Sequence, residues 1–364
     1  MAQLLEEIEW SAQILQPVAD PAWEAEIKRR GGRVSEVDRR VSPSAWLREA
    51  CLRVTTYRPE RISQRLANIG ALVTAQENSC RYCYGANRAY MKVLGYSESF
   101  ISRIERDAHM AELDAMERGF ITFCRHLARS RPRPAKAERE GLIALGYTPI
   151  AVSEIAFLIS MGCFYNRVGI LSACPPELNF ERMANGPLGR LMGLAAPLLR
   201  PFMGGGKPVR TGATQGHQDL AQGSFGPLVS TLDGLAAAGM LKDALDGCFA
   251  SKVLSRRSKA LMFAIVGRTL ACRFCEDSAR DILVDEAMES AEIDATLATL
   301  DSTSLGRNEA LLLPWVRDTV YYQTAAIQQQ TRLLAAQIGP TAVLEAIGVA
   351  ALANATVRMA MLLE

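Results

Sequence analysis

Histidine is scarce. The 364 residues contain three, His109, His126 and His217, and no two stand at the spacing of metal ligands. No metal and no cofactor are therefore expected. Charge of one sign is lacking too: the net charge is +2 and no long basic run occurs, so no nucleic-acid partner is expected. No uninterrupted apolar stretch reaches the roughly 18–20 residues of a membrane helix, so no integral membrane segment is expected. The opening Met1-Ala2-Gln3-Leu4-Leu5-Glu6-Glu7 is acidic where a signal peptide is basic and then apolar. Alternating strand patterns bounded by turn residues are absent. The Gly-rich run Gly204-Gly205-Gly206-Lys207-Pro208 lacks the Gly-Lys-Ser/Thr order of a phosphate loop. Nine cysteines, an odd number spread over a long chain, fit a reducing cytoplasm better than a secreted disulfide scaffold.

What the chain does have is a motif written twice. Cys80-Arg-Tyr-Cys83 and Cys272-Arg-Phe-Cys275 are related by one shift of 192 (272 − 80 and 275 − 83). Glu154 and Arg167, on one apolar segment, recur as Glu345 and Arg358 at a shift of 191 (345 − 154 and 358 − 167). Four matched positions point to an internal duplication.

The patterned segments have a helical period, and the fold class expected is all-α. Ala135–Leu145 ends at Gly146, Thr148 offers an N-cap and Pro149 a first helical position, before a buried helix over Ile150–Leu171. Gly339-Pro340-Thr341 precedes an equally apolar helix, Ala342–Leu363. The expected domains are a polar helical arm over 1–43, a first unit over 44–180, a Gly/Pro-rich linker over 181–224 and a second unit over 225–364. Within the linker, Leu188–Met203 reads as cover for a hydrophobic groove rather than as a membrane-surface helix.

Two cysteines three apart share one helix face and can form a disulfide when the first turn is slightly open. At a helix N-terminus the unpaired N–H groups and the dipole favour the thiolate, and Arg81 and Arg273 add positive charge. The candidate catalytic residues are therefore Cys80, Cys83, Cys272 and Cys275. Structural zinc is disfavoured because nearly 190 residues separate the pairs and no histidine lies near either. Cys51, Cys124, Cys163, Cys174 and Cys248 read as small buried hydrophobes. Glu154, Arg167, Glu345 and Arg358 are too far apart along their helices for intrahelical pairs, so each is expected to meet another helix or the opposite copy. Tyr82, Tyr84, Tyr90 and Phe274 read as core, with a pocket lining as the alternative.

Cys80-Arg-Tyr-Cys-Tyr-Gly-Ala-Asn-Arg-Ala-Tyr, then Leu94-Gly95-Tyr96-Ser97, then the helix with Glu154 and Asn166-Arg167, resembles the carboxymuconolactone decarboxylase/alkylhydroperoxidase D superfamily. Val266–Ala279 onward through Glu345 and Arg358 resembles it more distantly. The resemblance implies a compact all-helical unit that forms homo-oligomers or occurs as a tandem. The fixed cysteine and Glu/Arg shifts lead us to expect two such units in tandem, related by a pseudo-twofold axis. The resemblance also implies a thiol-disulfide oxidoreductase or peroxidase-like enzyme, with a small-molecule substrate such as a hydroperoxide and a thiol reductant as partners. In that branch the second cysteine attacks and the first resolves, which maps to Cys83 and Cys80.

The sequence departs from the family's proton relay. Asn87 and Ala279 stand where the peroxidase branch has a histidine, and Asn68 and Ala260 where it has a glutamate. A neutral amide does not shuttle protons near neutral pH. Glu77 and Glu276 read as exposed helix carboxylates, with a role as base the alternative. Two other functions stay open: a non-redox lyase or decarboxylase on the same scaffold, and a catalytically silent binding or assembly protein.

Overall fold

The computed structural model describes residues 2–106, 111–189, 191–195, 220 and 222–362. Among them every regular element is a helix and none is a strand. After a short 3-10 turn, the arm contains α1 (Pro21–Arg29) and α2 (Glu36–Val41). A first run follows: α3 (Ala45–Thr56), α4 (Gln64–Glu77), α5 (Arg81–Val93), α6 (Glu98–Arg106), α7 (Ala115–Arg129), α8 (Lys136–Ala144) and α9 (Pro149–Leu171). Next come α10 (Leu178–Asn185) and α11 (Gly226–Ser230). The second run is α12 (Ala236–Ala250), α13 (Arg256–Thr269), α14 (Arg273–Asp285), α15 (Ser290–Thr299), α16 (Arg307–Asp318), α17 (Thr324–Ile338) and α18 (Pro340–Ala360).

The second run repeats the order of the first. α13 matches α4 at a shift of 192 at both ends (256 − 64 and 269 − 77), and α14 matches α5 in the same way (273 − 81 and 285 − 93). α18 begins 191 residues after α9 (340 − 149). The caps repeat as well. Ser63 accepts a hydrogen bond from the Leu66 N–H at the start of α4, and Ser255 from the Ser258 N–H at the start of α13. α9 starts as its sequence dictates, with Thr148 accepting from the Ala151 N–H and Pro149 at the first position.

α9 and α18 pack against each other, and each also receives helices of its own run: α4 on α9, α13 on α18. By length and composition both could cross a membrane, but most of each is buried against protein. Apolar residues around the whole circumference are what a central helix needs. One hydrophobic core runs through both sets of helices.

The arm packs on the body of the molecule. It is polar in composition, yet Ile8, Leu15, Trp23, Ile27, Val37 and Val41 are buried. It also joins the two runs: the Trp10 indole N–H donates to the Cys174 carbonyl, and Arg332 donates to the Ala12 carbonyl. The apolar face of α10 covers α5, where Phe180, Met183 and Met192 pack on Ala89, Val93 and Ala184. Leu188, Leu191 and Leu194 are exposed, so the described part of the expected groove cover half-buries Met192 but not these leucines. The rest of Leu188–Met203, and the Gly204–Pro208 run, lie outside the described residues.

Candidate functional site

Each cysteine pair begins a helix directly after a left-handed residue. Ser79 has φ +49° and Ala271 has φ +53°. The bend ends α4 and α13 in the same way. Cys80 N–H donates to the Ala75 carbonyl at 3.0 Å, and Cys272 N–H to the Gly267 carbonyl at 2.8 Å. Cys80 and Cys272 then serve as N-caps of α5 and α14. In the first pair the Cys83 N–H donates to Cys80 Sγ at 3.4 Å, which sets both sulfurs on one helical turn. Gly169 of α9 lies opposite, where an added Cβ would stand 3.5 Å from Cys80 Sγ and 3.8 Å from Cys83 Sγ.

Neither pair faces solvent. Cys80 is 0 % exposed and Cys83 4 %, Cys272 and Cys275 are equally buried, and none of the nine cysteines is in a disulfide. Burial, with the Cys80 hydrogen bond second, pushes the Cys83 thiol well above its ordinary value. Desolvation at Cys83 thus works against the thiolate that a helix N-terminus favours. Arg81 does not compensate, because its fork is bidentate on Glu181 of α10, at 2.8 and 3.0 Å. Tyr82 is buried as core, and its hydroxyl donates to Glu177 at 3.3 Å. Tyr84 is core too, Phe274 is partly buried against it, and Tyr90 is exposed.

The residues at the relay positions are occupied elsewhere. The Asn87 amide donates to the Ala71 carbonyl, and Asn68 accepts from Gln64. Glu77, expected to be exposed, has a buried side chain clamped between Arg125 and Arg129. Glu276 is shared by Arg268 and Arg280. An open cavity of about 550 Å³ reaches Arg81 of the first motif, between Ile8 and Trp10–Gln13 of the arm and Pro175–Pro176. Cys174, read from sequence as a plain buried cysteine, lies in the same buried neighbourhood, and burial raises its thiol.

The buried charges of α9 and α18 find partners that the sequence did not name. Glu154 accepts from the Tyr57 hydroxyl and from the N–H groups of Glu60, Arg61 and Ile62, at 2.6–3.1 Å. Glu345 accepts from the Trp46 indole at 2.9 Å and faces Lys259 Nζ at 3.1 Å. The arginines reach the opposite run, as expected. Arg167 donates to the Thr319 and Val320 carbonyls, and Arg358 to the Ala128 and Val320 carbonyls. His126 bridges Glu138 and the Pro132 carbonyl; His109 and His217 lie outside the described residues.

Searches against protein-family models, curated proteins and solved structures return no match for this chain.

Proposed function

We propose that the two helical runs are tandem units of the carboxymuconolactone decarboxylase/alkylhydroperoxidase D type, related by a pseudo-twofold axis. On this reading the chain is a thiol-disulfide oxidoreductase with slow peroxidase-like chemistry at Cys80 and Cys83. The observation that carries the reading is the Cys83 N–H to Cys80 Sγ hydrogen bond, in a helix start that recurs at Cys272. The carbonyl exchange supports the axis: Arg167 takes Thr319 and Arg358 takes Ala128, with acceptors and donors both 191 apart (319 − 128 and 358 − 167). Buried thiols outside any disulfide fit a reducing cytoplasm.

The chemistry runs in two steps. Cys83, as thiolate, attacks a hydroperoxide; the S–O bond forms, the O–O bond breaks, and the alcohol leaves with the thiol's proton. Cys80 then attacks the sulfenic sulfur, giving the Cys80–Cys83 disulfide and water, and an external dithiol returns two electrons. The raised Cys83 thiol and the amides at 68 and 87 make the first step slow. The cover from Glu181, Glu177 and Trp10 must loosen before a substrate enters from the adjoining cavity.

Titration of the full chain with an organic hydroperoxide, followed by mass spectrometry, tests this. A reversible Cys80–Cys83 disulfide is expected, abolished in Cys83→Ser. Asn87→His should raise turnover with a dithiol reductant, with about 10²–10⁴-fold as the ceiling for general acid–base assistance. Ala279→His should do less. Thiols that persist at both positions would leave the second reading, a non-redox binding protein. The burial of both pairs favours that alternative.

A further inference from the structure

The two arginines of the duplicated motif are buried without a carboxylate. Arg167 is 1 % exposed and Arg358 0 %. Their partners are backbone carbonyls, Asn78 and Asn354, and both forks converge on the Val320 carbonyl oxygen. Arg167 uses three of its five N–H groups and Arg358 four, so three remain for another acceptor. Two like charges sealed together are costly. Burial, and then Arg167, push Arg358 down to about 9, which still leaves it charged at neutral pH.

Arg167 and Arg358 stand in the wall of an open cavity of about 440 Å³, with their side chains packed just beneath its surface. Arg129 and Arg131 line it as well, and Glu77, the one carboxylate in that lining, is already clamped by Arg125 and Arg129. Arg167 lies over the Tyr322 ring and Arg131 over the Tyr321 ring, each 5.5 Å from the centroid. Tyr321 is 40 % exposed and presents aromatic surface at the rim. The volume is that of a small-molecule site and larger than a bare inorganic anion needs.

We propose that this cavity, where the two runs meet, binds a small organic anion. Its carboxylate or phosphate head takes the remaining N–H groups of Arg167 and Arg358, and its apolar body lies against Tyr321. Paired forks match the planar or tetrahedral oxygens of such a head bidentately, and the missing counter-charge is supplied by the ligand. The proposal does not rest on the thiol chemistry, although Asn78 and Ser79, just before Cys80, also line the cavity.

Calorimetric titration of the full chain with benzoate, phenyl phosphate and inorganic phosphate tests it. At least one organic probe should bind with one-to-one stoichiometry, and more tightly than inorganic phosphate; which of the two binds identifies the head group. Arg358→Gln should weaken that probe roughly tenfold or more, the value of one hydrogen bond to a charged group. Arg131→Ala changes an exposed rim residue and keeps the test open if the buried substitution does not fold; it should weaken binding severalfold. No binding of any probe at millimolar concentration would overturn the proposal. So would equal affinity for inorganic phosphate, or unchanged affinity in the variants whose circular dichroism shows them folded.

Discussion

Lys259 and Glu345 show how one residue can matter far more than its place in the sequence suggests. Both side chains are sealed from solvent, and Nζ stands 3.1 Å from Oε1. The angle is too poor for a hydrogen bond there; the ammonium donates to the Cys248 and Ser251 carbonyls, and Trp46 holds the other carboxylate oxygen. A buried pair of this kind adds little net stability, but losing one member leaves a charge without its partner. Lys259→Met should therefore cost about 3–5 kcal/mol, read as a lower urea midpoint at unchanged slope, and adding Glu345→Leu should recover part of it. A loss below about 1 kcal/mol would mean that Trp46 alone satisfies Glu345. Glu345 was legible through its repeat at Glu154, but Lys259 was not. In the first run the same job falls to backbone N–H groups of residues 60–62, so no second lysine marks the position.

At the scale of the helix, the left-handed residue before each cysteine pair is the feature most open to change. Glycine is the usual occupant of such a helix end, because a Cβ at positive φ crowds the backbone. Here the positions hold Ser79 and Ala271. Ala271→Gly should stabilise the protein by about 1 kcal/mol, seen as a higher midpoint in urea. A lower midpoint would mean that the methyl group's packing outweighs the strain. The helix starts themselves were readable: Thr148-Pro149, Gly339-Pro340 and the two cysteine motifs all mark real boundaries. The far end of α18 falls at Ala360, short of the apolar run's end, because composition does not say where the last turn stops. What the sequence hid was cover. Glu181 on Arg81 and Trp10 on Cys174 are pairings between distant segments, and no period records them. That is why cysteines whose local pattern favours reactivity are sealed in the fold.

For the whole molecule, the balance of buried acids and bases sets its response to alkali. Burial pushes the thiols of Cys51, Cys83, Cys124, Cys174 and Cys248 above their ordinary value of 9.0. A raised thiol favours the fold fully below its unfolded pKa, and that advantage is lost progressively as pH climbs from there toward the folded value. Arg358 works the other way: held down to about 9, it binds fewer protons folded than unfolded above that pH, and so gains stability there. Each group contributes a slope of about 1.4 kcal/mol per pH unit, so five thiols overwhelm one arginine. The urea midpoint should thus be flat from pH 7 to about 8 and fall steeply by pH 10. Tyr57, Tyr84 and Tyr322, whose hydroxyls burial also raises from 10.0, should deepen the fall beyond that point. Substituting Cys124 or Cys248 by Ala should flatten the slope by one group's share, after the cost of the lost sulfur is subtracted at pH 7. A midpoint unchanged from pH 7 to pH 10 would show that the thiols ionise inside the fold, and the case for a sealed, slow Cys83 would fall with it.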